Sequence, residues 1–265
     1  MNDTEAEFLA VAEVAARAAG QILQDWAGRF TVSEKGPADL VTEADVASQA
    51  AIHGILSARF PDHGFLGEEG LLSKAGEADY RWIIDPLDGT SNYVHRFPYY
   101  AVSIGLECRG ELAAGVVYDP TRNEMFAARR GAGATLDGRP IRVSRFNRLN
   151  QAMVIASFPP GVRPDSLPIK RFLTVLPHAQ TIHRSGSAAL NLAYIAAGRL
   201  DAFWSTSLKP WDVAAGALLV TAAGGRVTTM CGGPLQIEIP DLLSSNGTGI
   251  HEELSVLLSG NSEAP

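Results

Sequence analysis

The sequence predicts a mixed α/β protein, with an α+β half over residues 1–147 and an α/β half over 148–265, the two packed as one unit. Three observations carry this reading. Apolar residues recur at helical spacing through the first sixty positions, and the period then shortens to strand-like runs between residues 64 and 128. After residue 150, short apolar runs alternate with helical stretches.

The first helix is set by Phe8, Val11, Ala15, Ala18, Ile22 and Trp26, with Thr4 and Glu7 at capping-box spacing. Gly36-Pro37 breaks the chain. A second helix is expected from about Thr42, with Asp45 three residues on, through Val46, Ile52 and Leu56 to Phe60, where Pro61-Asp62 stops it. Residues 64–67 and 81–85 read as strands. Residues 99–107 and 112–118 form a hairpin about Arg109-Gly110, residues 125–128 add a strand, and GAGATLDG at 131–138 is expected to be a turn region. The second half reads as a strand at 152–156, a helix at 166–175, a strand at Thr181, a helix at 187–197, a strand at 202–204 and a helix at 210–223.

Composition narrows the function. Of the 265 residues 46% are hydrophobic, enough for a sizeable core. Acids outnumber basic residues 29 to 22, for a net charge of −7, and no basic stripe occurs, so neither nucleic acid nor an anionic membrane is an expected partner. No stretch reaches 18 uninterrupted apolar residues, and MNDTEAEF carries acids where a signal peptide needs bases, so a cytoplasmic protein is expected. Cys108 and Cys231 are too few for a disulfide framework.

Four acidic clusters stand at strand ends or helix starts. WIIDPLDGTSNYVH at 82–95 delivers Asp85 at a strand end, turns at Pro86-Leu87 and follows with Asp88, so two carboxylates and the Leu87 carbonyl can face one point. Hard cations such as Mg²⁺ want that oxygen set. The others are Glu68-Glu69 after the strand GFLG, Asp212 beside Pro210, and Asp39, Thr42, Glu43 and Asp45 in KGPADLVTEAD. Each alone has a plainer reading as turn chemistry, a solvated loop or a helix cap. Four together repel unless a cation joins them. No GxSxG elbow, GxxxxGK phosphate loop or HExxH occurs, and the six histidines lack ligand spacing.

VTEAD (41–45), GEE (67–69), DPLDGTSN (85–92) and WDVAAG (211–216) resemble, in order and separation, the motifs of the magnesium-dependent, lithium-sensitive inositol monophosphatase family. AGG at 223–225 and SSNGTGIHEEL at 244–254 are similar to that family too, so the resemblance runs from about residue 35 to the end. It implies a layered αβαβα sugar-phosphatase fold with mixed sheets between helix layers, a homodimer, and a small-molecule phosphate monoester as substrate. By position it places Glu68, Asp85 and the Leu87 carbonyl on a first Mg²⁺, Asp85, Asp88 and Asp212 on a second, and a weaker third ion near Glu68. It makes Asp45, Thr90 and Glu68 the catalytic group, with Thr90 and Asp45 orienting the attacking water. The backbone N–H groups of Gly89 and Thr90 would meet the phosphate, where a loop opens into a helix. The implied chemistry uses two metals, one acidifying the water and one stabilising the leaving alkoxide.

HRSGSAALNLAYIAAGRLDAFW at 183–204 resembles the family's substrate-side segment, with Gly186 and Ala188 lining the sugar and Asp212 also reaching it. Ser205 stands where the family usually carries a glutamate that binds ring hydroxyls, and the lysine of the first loop, Lys35, is off register by one residue. The resemblance makes inositol 1-phosphate the type substrate, and Ser205 in place of the glutamate points to histidinol phosphate or a range of sugar phosphates as alternatives. A haloacid-dehalogenase-type phosphatase is the enzyme rival, but its DxDGT motif has one residue fewer between the aspartates than WIIDPLDGT. A non-catalytic regulator on the same fold is the rival from another class. Every expected metal carboxylate is present, which favours the hydrolase.

Overall fold

A computed structural model describes residues 3–36, 39–73, 78–239 and 241–260. The chain opens with α1 (Asp3–Trp26), then an antiparallel strand pair, β1 (Val32–Gly36) and β2 (Asp39–Thr42), and α2 (Glu43–Arg59). The side chains of Thr4, Lys35 and Asp39 lie outside the described residues. β3 (Gly64–Gly67), β4 (Leu72–Ser73) and β5 (Tyr80–Asp88) follow, then the short α3 (Thr90–Val94). A meander completes this half: β6 (Ala101–Cys108), β7 (Glu111–Asp119), β8 (Glu124–Arg129), β9 (Gly133–Leu136) and β10 (Arg139–Ile141). The remainder alternates: β11 (Met153–Ser157), α4 (Leu167–Val175), β12 (Thr181–His183), α5 (Ala188–Ala196), β13 (Ala202–Ser205), α6 (Pro210–Ala222), β14 (Arg226–Thr228), β15 (Leu242–Ser245) and α7 (Gly249–Ser259).

The strands form an eight-stranded sheet, ordered β10-β9-β8-β7-β6-β5-β3-β4, and a five-stranded one, ordered β12-β11-β13-β15-β14. Both are mixed, with β3 parallel to β5 and β11 parallel to β12 and β13. Side-chain alternation along β6 sorts the core. Val102, Ile104 and Leu106 face α1 and α2, packing with Ala15, Ala19, Leu23, Ile52 and Leu56. On the opposite face Ala101, Val117 and Phe126 meet α5 and α6, which also pack on Phe203 and Leu242 of the second sheet. The far side of that sheet, through Val154, Ala156, Trp204 and Leu243, is closed by Val175 of α4 and by Ile250, Leu254 and Leu258 of α7. Five layers result, helices–sheet–helices–sheet–helices, the αβαβα arrangement expected.

Helix α6 lies unusually close to the first sheet. A Cβ on Gly105 would come 2.8 Å from the Ala214 side chain, and one on Gly115 would come 2.9 Å from the Ala215 backbone. Only glycine permits that approach. The Ser103 hydroxyl donates to the Trp211 carbonyl at 3.1 Å, fixing the first turn of α6 beside β6.

Two expectations need correction. The strand expected at 81–85 does not end in a turn at Pro86-Leu87; β5 continues to Asp88, and its register with β6 slips between Asp85 and Asp88. This bulge re-aims both aspartates, a common use of bulges beside functional sites. The expected turn region at 131–138 instead contains β9, whose partner β10 follows it, joined through Asp137 and Gly138, both at positive φ. Pairing with β8 supplies order that the glycine-rich sequence does not signal. Among the described residues, no helix is long and apolar enough to cross a membrane.

Candidate active site

Strand β3 runs parallel to β5 with Gly67 opposite Ile84, so Glu68 emerges one residue further on, with its N–H donated to the Ile84 carbonyl at 3.2 Å. That puts Glu68 beside Asp85. The bulge then presents Asp85 and Asp88, and the close docking of α6 brings Asp212 from the other half of the chain. One oxygen from each of Asp85, Asp88 and Asp212 lies within 4.8 Å of the others. Asp85 is only 1% exposed and Asp88 8%.

None of the ion pairs formed among the described residues reaches this triad. The titration behaviour follows. Burial, then the charges of Glu68, Asp88 and Asp212, push the Asp85 carboxyl well above the usual carboxylate range. Burial alone drives Asp88 up to about 6, against the lowering effect of hydrogen bonds from Ser187 and the backbone of residues 188 and 189. Burial and the Asp88 charge raise Asp212 to about 7. Clustered buried acids of this kind hold protons until a cation replaces them.

Each carboxylate is anchored by one oxygen. Asp85 Oδ1 accepts the Leu87 N–H at 3.0 Å. Asp88 Oδ2 accepts the Ala189 N–H at 2.7 Å and the Ser187 hydroxyl. Asp212 Oδ2 accepts the Lys209 N–H at 2.8 Å. All-oxygen donors, preset and uncompensated by protein cations, fit a hard divalent ion.

Asp45 occupies the third position of α2, where its Oδ2 accepts both the N–H and the hydroxyl of Thr42, at 2.8 and 2.6 Å. Its Oδ1 lies 3.4 Å from the Thr90 hydroxyl, which lies 3.2 Å from the Leu87 carbonyl. Burial, and less strongly the Glu69 charge, raise the Asp45 carboxyl above its ordinary value. Gly89 caps α3 with φ of +98°, and a Cβ there would press on the carbonyls of Tyr99 and Gly186 at 3.1 and 3.3 Å. Glycine is therefore required at this bend.

Beside the triad is a cavity of about 400 Å³ lined by Asp88, Asp212, Gly186, Ala188, Ser157 and Arg184 among others. Ser205 does not line it; its side chain is fully buried, and its hydroxyl accepts from Ser207 N–H at 3.4 Å. Another recess, of about 580 Å³, lies away from the triad between the C-terminal half of α6 and residues 235–238. Sequence reasoning missed Ser187, read only as a helix start, and Asn92, whose amide donates to the carbonyls of Tyr99 and Ser185 and ties the loop after Asp88 to the segment before α5. It also gave no role to Gln49, which grips the Glu69 backbone at 3.0 and 3.1 Å. These contacts join segments distant in sequence and leave no local pattern.

The chain is similar to known proteins over most of its length. The profile of the inositol monophosphatase family matches residues 4–261. The chain is 43% identical over 247 residues to the Nus factor SuhB of Pseudomonas aeruginosa, covering 90% of this chain and 91% of that protein. It is 41% identical over 259 residues to the inositol-1-monophosphatase of a Synechocystis strain, covering 95% and 88%. Among solved structures, the extragenic suppressor protein suhB from Bartonella henselae superposes with a TM-score of 0.90 at 39% identity, covering 95% of this chain and 98% of that one. The inositol monophosphatase from Anabaena superposes with a TM-score of 0.87, also at 39% identity, covering 96% of both chains.

Proposed function

The chain belongs to the inositol monophosphatase family of phosphoric monoester hydrolases, and from that premise we propose that it is a Mg²⁺-dependent phosphomonoesterase acting on a small polyol or sugar-like phosphate such as inositol 1-phosphate. The observation that carries the reading is the triad Asp85, Asp88 and Asp212, the first two buried and the third half-buried, drawn from both halves of the chain and joined by no ion pair among the described residues. Glu68, Asp85 and the Leu87 carbonyl would hold one ion, and Asp85, Asp88 and Asp212 another. Bound there, Mg²⁺ supplies the positive charge that neutralises the phosphate and lowers the pKa of the attacking water.

The chain's own groups do the positioning. The Thr90 hydrogen can point to Asp45 Oδ1 or to the Leu87 carbonyl. Pointed at Asp45, it leaves the Thr90 oxygen free to accept from a water, turning that water's lone pair toward phosphorus. Asp45, more basic than a surface aspartate, is the acceptor at the end of this relay. The N–H groups of Gly89 and Thr90 face the phosphate at the start of α3. Gly186 and Ala188 bound the rest of the substrate.

Lithium inhibition follows from the same oxygen set, which a small monovalent ion can enter with too little charge for catalysis. Exposed Phe97 and Met153, beside an apolar recess of about 390 Å³, support a homodimer. A cytoplasmic location is consistent with the acidic composition. The relatives named Nus factor support a second reading, a regulatory role. Mg²⁺-dependent phosphate release by the unaltered protein decides between them, and Asp88→Asn and Asp212→Asn are each expected to abolish it with an unchanged circular dichroism spectrum. Wild-type turnover in either variant contradicts the metal assignment.

A further inference from the structure

The turn that carries Glu68 is held from three sides. The Gly67 N–H donates to the Leu71 carbonyl at 2.8 Å, closing residues 67–71 into a turn. The Glu68 N–H donates to the Ile84 carbonyl of β5 at 3.2 Å, one residue before Asp85. The third side is a side chain. Gln49 of α2 accepts the Glu69 N–H through Oε1 at 3.0 Å and donates from Nε2 to the Glu69 carbonyl at 3.1 Å. The amide thus pairs with both backbone groups of residue 69, as a neighbouring strand would. One hydrogen bond leaves a turn free to pivot; a reciprocal pair does not. Gln49 is 8% exposed, so little water is at hand to take over either bond.

The local sequence is fitted to this contact. A Cβ on Gly67 would collide with Gln49 Oε1 and come 3.1 Å from its Cδ, so the lack of a side chain at 67 lets the amide reach the backbone of 69. Gln49 and Asp45 are four residues apart on α2, one turn from each other on the same face, and both are buried. Helix α2 therefore carries Asp45 near its start and grips the Glu68–Glu69 turn one helical turn later. Asp85, Asp88 and Asp212 are anchored elsewhere, through Leu87, Ser187, Ala189 and Lys209.

Resting on the phosphatase reading above, we propose that Gln49 is a positioning residue for the Glu68 side of the metal centre. Its amide fixes the Glu68–Glu69 turn to the helix bearing Asp45, and so sets the affinity for the ion that Glu68 would hold without setting that for the ion at Asp88 and Asp212. Groups that hold a metal ligand from behind commonly govern affinity by about 10- to 100-fold. Gln49 grips the backbone beside the ligand rather than its carboxylate, which places the effect at the lower end of that range.

The test counts bound Mn²⁺, which takes the same oxygen donors as Mg²⁺, from the electron paramagnetic resonance signal of the free ion. Mn²⁺ is titrated into metal-free wild type, Gln49→Ala and Gly67→Ala. Gly67→Ala leaves Gln49 in the chain and pushes its amide off the turn, so it carries the test alone if Gln49→Ala does not fold. Each variant is expected to weaken one ion by about tenfold and to leave the other within about twofold of wild type. In the double variant, Gly67→Ala is expected to add less than it does alone, because the two changes break one contact. Excess Mg²⁺ is expected to restore phosphate release to Gln49→Ala. Unchanged Mn²⁺ binding in both variants, equal weakening of every ion, or a wild type holding a single ion overturns the positioning role while leaving the hydrolase intact. A wild type that binds no Mn²⁺ and releases no phosphate overturns the hydrolase reading and the positioning role with it.

Discussion

Divalent metal should stabilise this protein strongly at neutral pH and hardly at all in mild acid. Asp88 and Asp212 titrate at about 6 and about 7 against an ordinary 3.8. The folded, metal-free protein therefore holds protons that the unfolded chain has released, and the stability those protons represent is present below about pH 4 and lost as pH rises through 6 to 7. Mg²⁺ must displace them. At pH 7.5 both groups are largely ionised; at pH 5.5 the doubly ionised form is about a hundredfold rarer, and apparent metal affinity falls by about the same factor. A Mg²⁺ concentration of about 100 Kd at pH 7.5 adds about 2.7 kcal/mol, and the same concentration at pH 5.5 adds under about 0.5 kcal/mol. For a chain of this length that is a Tm rise of about 5–10 °C at pH 7.5 and about 1 °C at pH 5.5. Differential scanning calorimetry with Mg²⁺ and with EDTA at each pH reads the difference directly. Comparison at fixed pH also removes the contribution of His251, buried between Thr228 and Ser245 and lowered to about 4, which costs stability as pH falls below about 6.5 in both samples. An equal Mg²⁺ effect at both pH values, or none at pH 7.5, refutes the coupling of metal to these two carboxylates.

Other outcomes follow from the same contacts. Ser187→Ala removes a hydrogen bond that lowers Asp88, so the acid limb of the Mg²⁺-dependent pH–rate profile should move to higher pH; an unmoved limb rules out Asp88 as the group it reports. Thr90→Val deletes the relay hydroxyl and should reduce kcat by about 100-fold or more, with KM little changed, in steady-state kinetics. Gly115→Val drives a side chain into the Ala215 backbone, 2.9 Å from its Cβ, and should cost about 1–3 kcal/mol in urea unfolding. It should also raise the Mg²⁺ concentration needed for activity, because Asp212 rides on that helix; unchanged metal dependence would separate the helix packing from the site.

Most of the candidate site was legible because its carboxylates sit where local chemistry marks an element's end. Thr42 and Asp45 form the capping box that starts α2, Glu68 follows a short apolar strand, and Asp212 sits in the first turn after Pro210. The path between Asp85 and Asp88 was not, since a bulge inside β5 and a proline turn at its end share one sequence and differ only in what β6 pairs with. β9 escaped notice for a related reason: glycine-rich edge segments carry no periodicity, and β8 imposes their order. β1, β2, β15 and α7 were not read as elements either. Gly105 and Gly115 gave no warning of how close α6 would lie.

Phosphate release from inositol 1-phosphate, measured with Mg²⁺, with EDTA and with added Li⁺, tests the central claim most directly. The panel extends to histidinol phosphate, glycerol 2-phosphate, fructose 1,6-bisphosphate and adenosine 3′,5′-bisphosphate. The account predicts release that needs Mg²⁺, vanishes in EDTA and falls with Li⁺. Release that persists in EDTA, or silence across the panel with Mg²⁺ present, contradicts it.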